Sequence, residues 1–210
     1  MKSLRGLYAI TDATLIPEQY FPETIELALK GGANIIQYRD KSEDHNKRLK
    51  QASEIKRLCE KYKSLFIIND DLQLVTKVNA DGVHIGSHDT TLAAAREQLG
   101  RDKIIGVSCY NDFQLALDAQ ANGADYIAFG SFFSSTIKPD AQPAKLDLLH
   151  RAKLEITLPV CAIGGITRNN ADSLIQSGAD MLAVISDIFN NPRVEQAAQE
   201  FASLFEQRQD

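Results

Sequence analysis

Cysteine is scarce in this chain of 210 residues, with Cys59, Cys109 and Cys161 widely spaced and odd in number. No C-x-x-C pair is present, which argues against zinc-ribbon and dithiol chemistry; reduced thiols in a cytoplasmic setting are expected. Positive charge is not in excess. The formal net charge is -5, so neither nucleic acid nor an anionic membrane is an expected partner. No apolar run reaches the roughly 18 residues that would span a bilayer. The apolar run within MKSLRGLYAITD, bracketed by Arg5 and Asp12, is too short for a secretory signal. Nor does a G-x-G-x-x-G follow the first apolar segment, which removes the dinucleotide fingerprint of an open doubly wound sheet.

What is present is an alternation. Short apolar runs read as strands at 7–11, 34–40, 64–69, 81–85, 103–108, 124–130, 158–165 and 179–186. Between them lie segments with helical spacing. The segment 43–62 places Leu49, Ala52, Ile55, Leu58 and Cys59 at intervals of three and four. The segment 193–207 does the same with Val194, Ala197, Ala198, Phe201, Leu204 and Phe205. The strands are apolar on both faces, as a parallel sheet covered by helices requires. Three helices end in GGAN, NGAD and SGAD, and NAD at 79–81 is a weaker echo. Glycine there supplies the left-handed turn that stops a helix and feeds the next strand. Eight such units in a row give the expected fold: one domain, a single (β/α)8 barrel. It has short loops, since barrels of this kind usually take about 250 residues.

A barrel of this type works at the carboxyl ends of its strands. After strand two, alternation puts Gln37, Arg39 and Lys41 on one side, a claw suited to a pyrophosphate. The plainer reading is scattered charge on a solvated helix start. Strand three ends in Asn69-Asp70-Asp71, and the loop after strand four carries His84, His88 and Asp89. Asp70 and Asp89 make a candidate Mg²⁺ pair, since that ion takes one or two carboxylates and completes its shell with phosphate and water. Asp71 reads instead as a helix cap. His84 reads as a core or supporting residue, and His45 and His150 as surface residues. Strand five delivers Ser108, Cys109 and Tyr110. With no paired base in view, Cys109 reads as structural.

The loop GSFFSSTIKPD brings glycine, hydroxyls and Lys138, with Phe132 and Phe133 able to wall a flat ring. Gly164-Gly165 after strand seven and Ile185-Ser186 after strand eight, before a short helix, occupy the usual barrel phosphate position. Two anion sites therefore flank one mouth, and no general base stands out. Closure over the site is expected from the irregular segment 134–144. No heptad run marks a partner helix, and a homodimer is left as an open expectation.

YAITD, QYRDK, FIINDD, DGVHIG-x-x-D, IIGVS, GADYIAFG, KPDA and IGGIT with GAD-x-x-AVIS, in this order over roughly 6–189, resemble the thiamine-phosphate synthase family. The resemblance implies Mg²⁺-dependent coupling of 4-amino-5-hydroxymethyl-2-methylpyrimidine pyrophosphate with 4-methyl-5-(2-hydroxyethyl)thiazole phosphate. Both are small phosphorylated molecules, and the implied reaction is dissociative. By matching motif it also implies that Gln37, Arg39, Lys41, Asn69, Ser108 and Lys138 meet the pyrimidine pyrophosphate, with Ser135 left to donate to phosphate or thiazole where Ile137 replaces a hydroxyl. Asp70 and Asp89 would hold Mg²⁺, while Gly165, Ile185 and Ser186 would bind the thiazole phosphate. Arg39, Lys41, Ser108 and Lys138 would be the catalytic set. Two positions depart from the family pattern: Tyr110 stands where a histidine is usual, and Ile137 where a hydroxyl is usual. The rival readings are a thiazole tautomerase-like isomerase and a non-catalytic phosphate- or thiamine-binding barrel.

Overall fold

The computed structural model describes residues 3–134 and 143–206. Strand β1 (Gly6–Ile10) leads through a 3₁₀ turn (Glu18–Tyr20) to α1 (Phe21–Lys30), and β2 (Ile35–Tyr38) to α2 (His45–Tyr62). The next units are β3 (Leu65–Asn69) with α3 (Leu72–Val78), then β4 (Gly82–Ile85) with α4 (Leu92–Leu99). They are followed by β5 (Ile104–Tyr110) with α5 (Phe113–Ala121), then β6 (Tyr126–Phe129) with α6 (Leu146–Glu155). Strand β7 (Val160–Ile163) precedes α7 (Arg168–Ser177), and β8 (Met181–Val184) precedes α8 (Ser186–Phe189) and α9 (Val194–Glu206). All strands pair in parallel with their sequence neighbours, and β8 closes on β1 with Tyr8 opposite Ala183. The expected closed barrel is what forms.

Closure divides the core in two. Tyr8, Ile35, Ile67, Ala128, Cys161 and Met181 belong to the cluster inside the barrel. Leu7, Ile36, Phe66, Val83, Ile127 and Leu182 pack outward against the helices. Adjacent residues of one strand thus serve opposite cores, which explains the uninterrupted apolar runs. On α2 the inner face departs from expectation. Leu49 is 39% exposed, and Gln51 is buried in its stead. The amide oxygen of Gln51 accepts from the Tyr38 hydroxyl at 2.9 Å, so a polar contact with β2 sets the rotation of that helix. Among the described residues no helix is long and apolar enough to cross a membrane.

The repeated helix-ending phrases have a second role. Their glycines take positive φ, at Gly32, Gly123 and Gly178, and Asn79 does so in the weaker echo. The polar residue closing each phrase then grips the strand before. Asn34 Oδ1 accepts from the Leu7 amide, and Asp81 Oδ2 from the Phe66 amide. Asp125 Oδ2 accepts from the Ile105 amide, and Asp180 Oδ2 from the Val160 amide. Side chains thus staple alternate strand pairs at the end of the barrel opposite the mouth. Asp125 carries a second bond, from Arg96 Nη2 at 2.7 Å. Asp125→Ala is expected to cost about 1–3 kcal/mol because two donors lose their acceptor. Thermal melting of that variant, with Asp125→Asn largely restoring stability, checks the staple.

At the mouth the helices begin with caps. Asp44, Asp71, Thr91 and Asp112 each accept from a first-turn amide through their side chains. Strand β5 runs two residues past its expected end because the register shifts between Ser108 and Tyr110. The irregularity fits one extra residue into the edge of the mouth, the usual behaviour of a bulge beside an active site.

Candidate active site

Polar side chains gather where β1 to β6 reach the mouth. Inside the barrel Gln37 Nε2 donates to Tyr8 Oη at 2.7 Å, and the Tyr8 and Tyr126 hydroxyls meet at 2.8 Å. Tyr126 Oη lies 2.9 Å from His84 Nδ1, and His84 Nε2 lies 2.8 Å from Ser108 Oγ. Burial pushes both phenols above their usual range, so each stays neutral. Gly106 makes room for the chain, since a Cβ there would stand 2.0 Å from Tyr126 Cζ. His84 also stacks on the Tyr126 ring, with centroids 5.5 Å apart. It is thus the supporting residue expected, while its link to Ser108 was not foreseen.

Further up, the claw is held from beneath. The Arg39 amide donates to Thr11 Oγ1 at 2.9 Å, and its guanidinium lies 3.8 Å from Asp12 Oδ2. Asp12 is itself fixed by the Thr14 amide at 2.8 Å. Lys41 Nζ is hydrogen-bonded to Asp70 Oδ2, which also accepts from Asn69 Nδ2 at 2.6 Å. Asp71 is a cap and not part of the pair: its Oδ1 accepts from the Leu74 amide at 2.9 Å.

Asp70 and Asp89 do come together, within hydrogen-bonding contact. Burial pushes the Asp70 carboxyl up and the Asp89 carboxylate pushes it further, against the pull of Lys41. Burial also works to raise Asp89. Hydrogen bonds from Asp70 and the Gly86 amide, with the charge of Lys41, carry it below the ordinary carboxylate range instead. Two acids this close share a proton or a cation. Among the described residues no cluster of three or more His, Cys, Asp or Glu could hold a metal. Two carboxylates alone would suit only a hard ion that fills the rest of its shell from phosphate and water. Tyr110, at the position where histidine was the expected residue type, pins the Asp89 loop: its Oη accepts from the Ser87 amide at 3.1 Å.

Two cavities open here. One, of about 190 Å³, is lined by Gln37, Arg39, Asn69, His84, Ser108 and Tyr110 among others. The other, of about 530 Å³, is lined by Gly164, Gly165, Thr167, Ile185, Ser186 and Arg193 among others. Ile163, Gly164, Ala183 and Ile185 wall both, so they are halves of one site. Gly165 has φ +61, and a Cβ there would stand 2.4 Å from the Ser134 carbonyl. The paired glycine is thus needed for close approach of the β6 loop as well as for an open backbone. Ser135, Lys138, Ile137 and most of the expected closing segment lie outside the described residues.

Sequence reasoning missed Tyr8, Tyr126, Asp12 and Arg193. A tyrosine inside an apolar strand reads as core, and its hydroxyl partner lies 118 residues away. Arg193 sits beyond α8, away from the strand ends. His45 and His150 are exposed as expected; His88, for which the sequence favoured no one reading, is exposed too. Cys59, Cys109 and Cys161 are all buried, and burial pushes the Cys109 thiol up to about 12. A thiol reagent such as DTNB is expected to label none of the three in the folded protein and all three in guanidinium. Rapid labelling of Cys109 in the folded state would contradict its structural role.

The family described as thiamine monophosphate synthase matches residues 7–188. The chain is 49% identical over 210 residues to the thiamine-phosphate synthase of Acidithiobacillus ferrooxidans, covering 99% of this chain and 97% of the relative. It is 45% identical over 203 residues to that of Nitrosococcus oceani, covering 97% and 94%. The thiamine phosphate pyrophosphorylase structure from Pyrococcus furiosus superposes with a TM-score of 0.90 at 33% identity, covering 100% of this chain and 99% of that one.

Proposed function

The chain belongs to the thiamine monophosphate synthase family, and from that premise we propose the reaction its mouth carries out. It couples 4-amino-5-hydroxymethyl-2-methylpyrimidine pyrophosphate to 4-methyl-5-(2-hydroxyethyl)thiazole phosphate, giving thiamine phosphate and pyrophosphate. One observation carries this reading: two cavities suited to anions share a wall, so two phosphorylated molecules can meet across it. Gln37, Arg39, Lys41, Asn69 and Ser108 take the pyrimidine pyrophosphate, with Lys138 assigned to it by motif and Ser135 assigned as a donor to phosphate or thiazole. Gly165, Ile185 and Ser186 take the thiazole phosphate, largely through backbone N–H groups.

The bond from the pyrimidine methylene carbon to the bridging oxygen breaks, and its electron pair leaves with pyrophosphate. The thiazole nitrogen then gives its lone pair to the carbon. No proton is transferred, so no general base is required. The protein's task is to stabilise charge that develops on the leaving group, usually the largest catalytic contribution. Arg39 and Lys41 supply fixed positive charge, and Asp12 with Thr11 keeps Arg39 aimed. Ser108 donates a hydrogen bond. Asp70 and Asp89 would hold Mg²⁺, which when bound adds a divalent charge beside the pyrophosphate oxygens. The narrower cavity, walled by Ile10, Ala128, Ile163 and Ala183, keeps water from the carbon while it is electron-poor.

An isomerase or a binding barrel would have no use for a carboxylate pair beside a cationic claw. Three buried, unbridged thiols support a cytoplasmic location. Calorimetry with inorganic pyrophosphate and thiazole phosphate tests the two-site reading. Both are expected to bind at once, with Mg²⁺ tightening pyrophosphate alone; mutual displacement would overturn it.

A further inference from the structure

Four members of the chain Gln37–Tyr8–Tyr126–His84–Ser108, all but Tyr126, line the 190 Å³ cavity, and both tyrosines are buried from solvent. Each hydroxyl has one hydrogen to give, and each imidazole nitrogen either gives or accepts. The direction of one link therefore dictates the next. Gln37 donates through Nε2, so Tyr8 passes its hydrogen to Tyr126, and Tyr126 passes its own to His84 Nδ1. The ring hydrogen then sits on Nε2 and is given to Ser108. Two groups are left facing the cavity: the Gln37 carbonyl oxygen, an acceptor, and the Ser108 hydrogen, a donor. Reversing any link reverses them all, and would present an amide N–H₂ at one end and a hydroxyl lone pair at the other.

We propose that this chain is a polarity relay in which Tyr8, Tyr126 and His84 act as positioning residues. They make Gln37 an acceptor and Ser108 a donor together, fitting the site to a pyrimidine that bears an exocyclic amine and an anionic leaving group. The inference rests on the synthase reading for what lies at the two ends. The direction of the chain does not depend on it. The amine needs an acceptor, the departing pyrophosphate needs a donor, and one orientation of five side chains satisfies both. No heavy-atom bond forms in the relay and no proton leaves it. A 4-oxo pyrimidine would ask Gln37 for its N–H₂, reverse the chain and turn the Ser108 lone pair toward the pyrophosphate. Such an analogue would then lose kcat as well as affinity, because the mismatch at one end is carried to the other. A site built to hydrogen-bond one group rejects its mismatch strongly, here by at least about a hundred-fold.

Two measurements test the relay. In the ligand-free protein with ¹⁵N-labelled histidine, NMR is expected to find the His84 hydrogen on Nε2, with the signal assigned by its loss in His84→Asn. Finding it on Nδ1 would overturn the stated direction, whatever the protein catalyses. Second, kcat and KM are compared for the 4-amino pyrimidine pyrophosphate and its 4-oxo analogue in wild type and Tyr126→Phe. The variant is expected to reduce the discrimination by about ten-fold or more while KM for the thiazole phosphate holds. An equal loss on both pyrimidines, with the ratio unchanged, would mean that Tyr126 is merely structural. If Tyr126→Phe does not fold, Tyr8→Phe cuts the chain one link earlier and serves the same comparison. No turnover on either pyrimidine would overturn the synthase reading and leave the NMR result to decide the direction of the chain.

Discussion

Asp70→Asn and Asp89→Asn are each expected to lower kcat by about a hundred-fold or more, corresponding to the roughly 3 kcal/mol that a bound divalent ion contributes to a charged transition state. Neither substitution should weaken the fold. The two carboxyls press on each other across the mouth, and an amide in place of one of them relieves like charge. Melting temperatures at or slightly above wild type are therefore expected. The double variant should be little worse than either single one, because residues holding one ion act as a unit. Initial rates at saturating substrates across a Mg²⁺ titration check this. An Asp89→Asn enzyme with wild-type kcat and Mg²⁺ dependence would show that the pair does not hold the metal.

Gly106→Val is expected to cause a large loss of stability. A Cβ at this position would lie 2.0 Å from Cζ and 2.4 Å from the hydroxyl of Tyr126. The ring cannot step aside, because Tyr126 is fully buried and its hydroxyl meets both Tyr8 and His84. Overpacking of this kind costs about 3 kcal/mol, and more where the displaced group also loses hydrogen bonds. Denaturant melts should show the midpoint falling sharply. The paired substitution Gly106→Ala with Tyr126→Phe should recover only part of the loss, since the methyl still meets the ring. A Gly106→Val protein as stable as wild type would mean that the Tyr126 ring is not held where the hydrogen-bond chain needs it.

Much of this molecule is legible along the chain because the barrel imposes local rules. Strands such as IIQY and LFIIN face apolar neighbours on both sides, so they read as uninterrupted runs. Helix ends are marked by the residues that must turn, as at Gly178 and Asn79. Strand limits are less legible. LPVCAIGG at 158–165 contains only four ladder residues, Val160–Ile163, since the apolar run continues past the last strand hydrogen bond. The end of β5 was misplaced because a register shift leaves no mark in composition.

That Gln37, Arg39, Lys41, Asp70 and Asp89 are candidates was legible because polar residues at the tops of apolar strands have few structural uses. Their supports were not. Asp12 reaches Arg39 from the loop after the neighbouring strand β1, and Tyr8 reaches Tyr126 across the barrel. The first contact is set by the pairing of β1 with β2 and the second by the closed barrel, and no local pattern encodes either. The staple residues fall between these cases: the GAD phrases were visible, but the strand amides their acids would grip were not.

The most direct test is to incubate the purified protein with the pyrimidine pyrophosphate and the thiazole phosphate, with Mg²⁺ or with EDTA, and follow both products by mass spectrometry. Thiamine phosphate and pyrophosphate are expected in equal amounts, and only with Mg²⁺. Absence of both products, under conditions where thiazole phosphate alone still binds, would contradict the coupling reaction and favour the isomerase or the binding barrel.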